Sequence, residues 1–110
     1  MAAVINLLCI VDGESTAFPV DILPGKSICI LKRRIKDEKH PEFADISSRR
    51  LVLWHVSLPE DGNQVNLDDI HMKREISKET RHVSDIFGAK APGGGTIHII
   101  VKRPQDKVLL

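Results

Sequence analysis

Only one segment of this chain repeats its apolar residues with the period of a helix. Ile28, Leu31 and Ile35 fall at i, i+3 and i+7 and form one stripe. The apolar segments on either side alternate with period two or run unbroken, as strands do. A sheet with a single helix to bury it makes two layers, so this stripe fixes the class as α+β, one helix packed on one sheet of four to five strands. The chain has 110 residues, 42% of them hydrophobic, which suits one domain and one core.

The strands read in order. "INLLCIV" (5–11) is a β-rich run closed by the turn "DGEST". In "AFPVDI" (17–22), Phe18, Val20 and Ile22 alternate with Pro19 and Asp21, and Pro19, which lacks an N–H, predicts an edge strand. Ser27 is a good N-cap for a helix running to about Lys39, where His40-Pro41 ends it. "RRLVLWHVS" (49–57) is the third strand and "LPEDGN" its turn. Residues 63–82 are polar and mixed in charge, and read as a long insertion loop with one helical turn. "HVSDIFG" (82–88) is a short turn of helix, "PGGG" a link, and "TIHIIVKRP" (96–104) a last strand stopped by Pro104. The domain is expected to span 1–104, with 105–110 a tail or linker stub. The predicted core is Ile28, Leu31, Ile35, Phe18, Val20, Ile22, Leu51, Leu53, Ile97, Ile99 and Val101, with Ile86 and Phe87 closing one end.

Several kinds of chemistry lack their residues. "PGKS" (24–27) stands where a phosphate-binding loop would meet its helix, but that loop needs a glycine at position 20, which is Val20 in an alternating strand. No catalytic spacing of Ser, His and Asp occurs. His55, His71, His82 and His98 lack the paired spacing or cysteine partners that zinc requires. No enzyme activity, cofactor, metal or small-molecule substrate is expected. Sixteen basic residues against fifteen acidic ones leave a net charge of +1, which draws the chain neither to nucleic acid nor to an anionic membrane. No apolar run is long enough to span a membrane. "MAAVINLLCIVDG" lacks the basic leading segment and cleavage site of a signal peptide, and reads as a strand. The helix phase turns Cys29 away from Cys9, so two free thiols are expected.

At larger scale, "SICILKRRIKDEKH", "RRLVLW", "LPEDG", "VSDIF" and "TIHIIVKR" resemble, in order, the helix, third strand, following turn, short turn and last strand of ubiquitin. The resemblance implies a ubiquitin-like β-grasp interrupted by an insertion at about 63–82. "LLCIVDGESTAFPVDI", "LVLWHVSLPED", "VSDIFG" and "GTIHIIVKRP" further resemble the N-terminal domain of the Crinkler effector family of fungi and oomycetes. "LVLWH" stands where oomycete members carry their LxLFLAK motif, and departs from it at Trp54-His55. The family resemblance implies a header domain linked to secretion and delivery into a host cell, often to its nucleus. It does not imply a conjugated modifier: Gly93, Gly94 and Gly95 precede the last strand, and the chain ends in Val108-Leu109-Leu110.

Two surfaces are candidates. If Leu51, Leu53, Ile97, Ile99 and Val101 face the helix, then Val52, Trp54, Val56, His98 and Ile100 face away. An open apolar row of this kind marks a protein-interaction face, with a second copy of the domain as one partner. Were the 63–82 segment to fold back, these residues would be core; its polar composition favours the open face. The second surface is the basic helix, with Lys32, Arg33, Arg34, Lys36 and Lys39. Such a run is expected to be a solvated face. The sharper alternative is a nuclear-import receptor or nucleic-acid site, and nucleic acid is disfavoured because no aromatic residue interleaves for stacking.

Overall fold

The computed structural model describes residues 4–40, 42–88 and 95–103. Pro41, the link at 92–94, Pro104 and the 105–110 tail lie outside them. Five strands, β1 (Ile5–Val11), β2 (Phe18–Ile22), β3 (Val52–Pro59), β4 (Arg74–Ile76) and β5 (Thr96–Lys102), form one sheet with the order β2-β1-β5-β3-β4. β1 and β5 are parallel and the other pairs antiparallel. The helix α1 (Ile28–Glu38) covers one face, and a five-residue helix α2 (Val83–Phe87) packs at one end. Short 3₁₀ turns occupy Ser48–Arg50 and Leu67–Asp69. This is the α+β arrangement expected from the single helical stripe, in the ubiquitin-like form that the resemblance implied.

Ser27 caps α1, its Oγ accepting from the Ile30 N–H at 3.4 Å. The first N–H groups of a helix have no partner inside it. Here Ile28 N–H donates to the Arg81 carbonyl at 2.9 Å and Cys29 N–H to the Glu79 carbonyl at 3.1 Å. The segment before α2 thus ties down the start of α1. These amides are occupied, so "PGKS" is a turn and a cap, and its donors do not point at an anion.

Ile28, Leu31 and Ile35 are fully buried against Ile5, Leu7, Cys9 and Val11 of β1 and against Val20, Ile22, Leu51, Leu53, Ile99 and Val101. Pairing settles the register of β1, which alternation alone left open by one residue. Pro19 lies on the edge strand β2, as its missing donor requires. Ile86 and Phe87 pack partly buried on the core, and Phe43, from the segment after α1, is buried completely.

Both cysteines are free. Cys9 is buried in the core, where desolvation raises its thiol pKa well above the ordinary range, while Cys29 is half-buried and off the stripe. A thiolate reagent should therefore titrate about one equivalent in the native protein and about two after unfolding without reductant. Two fast equivalents in the native state would contradict the burial of Cys9.

The far face of the sheet differs from expectation. Val65 and Leu67 of the 63–82 segment fold over it and build a second apolar cluster with Ile10, Val56, Ile97 and Ile100. Ala17, Trp54, Leu58 and Ile70 pack at its margin. The segment is held by backbone and side-chain bonds. Gly13 N–H donates to the Val65 carbonyl at 2.7 Å, Val65 N–H to the Glu14 carbonyl at 2.9 Å, and Leu67 N–H to the Asp12 carboxylate at 2.7 Å. Its far end supplies β4, where Leu53 pairs with Ile76 and His55 with Arg74. A polar average concealed three well-spaced apolar side chains, enough to cover a narrow sheet.

Candidate protein-interaction surfaces

The expected open row divides in two. Ile100 is fully buried, Val56 is 4% exposed and His98 6% exposed. Val56 and Ile100 are core beneath the folded-back segment, whereas His98 is buried near Val56, Ile86 and Phe87 and is not part of that cluster. The expectation of an exposed row is corrected for all three. Val52 and Trp54 remain half-exposed. Lys73 bridges the covering segment, donating to the carbonyls of Leu67 at 3.2 Å and Ile70 at 2.9 Å, and its Nζ lies 5.9 Å from the Trp54 ring centroid. The indole N–H of Trp54 is buried and meets no acceptor among the described residues, an unusual state for a buried donor.

Strand alternation also fails at one place. Ile97 joins the second cluster, although Ile99 and Val101 face α1. The β3–β5 register shifts between the pairs His55↔Ile99 and Leu58↔Ile97, so three steps along β3 match two along β5. A bulge of this kind bends the strand and re-aims side chains. At the same point His98 Nδ1 accepts the Leu8 N–H at 3.1 Å, just beyond the first β1–β5 pair, Cys9↔Ile99. The His98 ring therefore serves the sheet and does not present itself on a face.

The basic helix divides too. Lys32 is 5% exposed and pairs with Glu79 at 3.1 Å, and Arg49 approaches the same carboxylate at 3.8 Å. Lys39 is half-buried, reaches Glu14 at 3.3 Å and Glu42 at 3.5 Å, and sits 5.2 Å from the Phe18 ring centroid. Both residues leave the expected solvated face because their long stems cover apolar surface while their ammonium groups find carboxylates. Arg33 and Arg34 are exposed and Lys36 half-exposed, and none of the three forms an ion pair among the described residues.

Sequence reasoning missed a third region. His55 lies on the α1 side of β3, beyond the reach of α1, and its ring meets Phe87 edge-on with centroids 4.7 Å apart. Burial lowers its pKa, and the neighbouring Arg74 lowers it further. Beside it a half-open cleft of about 270 Å³ runs between β4, the 77–81 segment and α2. The signal was the basic spacing Arg74, Lys78, Arg81, hidden in a stretch read as loop. Among the described residues no group of three or more His, Cys, Asp or Glu is placed to hold a metal, and no helix is long and apolar enough to cross a membrane.

Known proteins agree with this architecture. The solution structure of the C-terminal ubiquitin-like domain of mouse tubulin-specific chaperone e matches with a TM-score of 0.60 at 7% identity, covering 98% of this chain and 94% of that one. At that identity the likeness speaks to the fold alone. Crinkler effector protein 1 of Rhizophagus irregularis is 31% identical over 108 residues, which cover 93% of this chain and 22% of that protein. The chain thus spans less than a quarter of the length of this relative. The model of the Crinkler effector protein N-terminal domain matches residues 5–102, from the first residue of β1 to the last of β5, with the helix, the bulged strand and the covering segment inside it. A chain matched from end to end of its fold in this way belongs to the Crinkler effector family, and what it folds into is that family's N-terminal, ubiquitin-like domain.

Proposed function

We propose that the domain is a non-enzymatic protein-interaction module that serves delivery of a Crinkler effector into a host cell. Its partner is met at the Val52–Trp54 end of β3, and a second copy of the domain is the first partner to test. The observation that supports this most is Trp54, which stays half-exposed beside half-exposed Val52 after Val65, Leu67 and Ile70 have covered the rest of the face. Tryptophan is the residue most enriched at the centres of interfaces, because a large ring contributes area at little cost in side-chain entropy. Val56 and Ile100, in the cluster against which Trp54 packs, support that end from beneath, while His98 is buried elsewhere, near Ile86 and Phe87.

Sedimentation equilibrium tests the reading. The wild-type domain should associate at high concentration, and Val52→Asp should restore a monomer with an unchanged thermal transition, because Val52 is only partly buried. A wild-type monomer throughout would sink self-association. A second reading rests on Arg33, Arg34 and Lys36, which stand free on the outer helix as a nuclear-import receptor or nucleic-acid site would need. A phosphate-binding face would lose affinity steeply between low and moderate salt.

A further inference from the structure

We propose that the cleft beside His55 binds an acidic peptide in extended conformation, lying along the outer edge of β4. This goes beyond the proposed function, since the cleft lies on the side of β3 opposite Val52 and Trp54.

The electrostatics come first. Arg74, Lys78 and Arg81 line the cleft, are exposed, and form no ion pair among the described residues. Two acids, Glu75 and Asp85, line the same cleft, so the cations outnumber the carboxylates three to two. Asp85 accepts the His82 N–H at 3.0 Å and lies 3.9 Å from the His82 ring. Glu75 pairs with Trp54 and Arg74 with His55, so alternation sets Arg74 on the His55 side of β4 and Glu75 at the margin of the cleft. The three cations exceed the two carboxylates, and a bound carboxylate relieves the repulsion that remains among them.

Shape then selects the class of ligand. A cleft of about 270 Å³ falls below the roughly 300–1,000 Å³ of sites that enclose small molecules. It suits one or two side chains of a longer chain. β4 is the outermost strand of the sheet, so its free edge presents backbone donors and acceptors to an added strand. Alternate side chains of such a strand fall on one face, about 7 Å apart, and can reach Arg74 and then Lys78 or Arg81. Ile76 and Ile86 supply the apolar part of the wall. The His55 ring is held edge-on against Phe87, which leaves no flat platform for a nucleic-acid base.

The test uses a fluorescein-labelled peptide of four Val-Glu repeats, titrated with the domain and followed by anisotropy. Saturable binding is expected at about 20 mM salt, weakening as salt rises to about 200 mM. The Arg74→Ala, Arg81→Ala double variant should lose about tenfold or more in affinity, and Arg33→Ala, Arg34→Ala on the distant helix should lose none. The amide signals of Glu75 and its neighbours should shift on peptide addition. All four substituted residues are exposed, and unchanged thermal transitions will show that each variant is folded. Four results would each overturn the proposal: no saturable binding; equal binding of a Val-Gln peptide of the same length; equal loss in both double variants; or equal binding of an oligothymidylate, which would make the cleft a general phosphate site.

Discussion

Ile100→Asp is expected to unfold the domain. Ile100 is fully buried at the centre of the second cluster, between Trp54 on β3 and Ile10 on β1. The substitution forfeits about 1.5–3 kcal/mol of apolar burial. It also places a carboxylate inside an apolar cluster, and an unpaired buried charge costs several kcal/mol more. The sum is comparable with the whole stability of a domain this size, about 5–15 kcal/mol. The check is loss of the cooperative thermal transition and of amide dispersion, while Val52→Asp, on the same side of the sheet but half-exposed, keeps both. A folded Ile100→Asp protein with a wild-type midpoint would mean that Val65 and Leu67 do not cover this face in solution.

Leu31→Ala should cost about 2–5 kcal/mol, the range for removing a fully buried leucine whose neighbours cannot collapse into the gap. The surroundings here are stiff. Leu31 sits between Ile28 and Ile35 on one helix, over a sheet whose central strands are covered on both faces. Urea unfolding with an unchanged slope would report the loss as a lower midpoint. A loss below about 0.5 kcal/mol would show that the stripe does not carry the packing.

These two substitutions mark the boundary between what was legible in the sequence and what was not. Leu31 was assigned from spacing alone, since a period of 3.6 residues needs no knowledge of neighbours. Ile100 was placed correctly on the far side of the sheet and its exposure was misjudged. Alternation says which face a side chain takes, but it cannot say whether something else covers that face. The Ile97 reversal has the same origin. Period two holds within a regular strand, and the bulge that re-aims Ile97 depends on how β3 and β5 pair, which neither strand encodes by itself.

The basic helix teaches the same lesson from the charged side. Five cations on one helix read as a solvated face, and for Arg33, Arg34 and Lys36 that holds. Lys32 and Lys39 were withdrawn by Glu79 and Glu14, carboxylates far away in sequence. The cleft beside His55 was illegible for a related reason: its cations come from a segment with no periodic signal, brought together when β4 pairs with β3 and α2 docks beside it.

The sequence by itself determined the number of layers, the single helix and its buried stripe, the edge position of Pro19, the capping role of Ser27 and the separation of the two thiols. Each of these follows from local geometry: a helical or strand period, a missing N–H, a side chain within reach of its own backbone. Only the tertiary structure decided the register of β1, the burial of Val56, His98 and Ile100, the withdrawal of Lys32 and Lys39, and the gathering of Arg74, Lys78 and Arg81 around one cleft. Each of those depends on which distant segment comes to lie alongside. That choice is made by the total burial and pairing of the whole chain, to which any one stretch contributes only a small part.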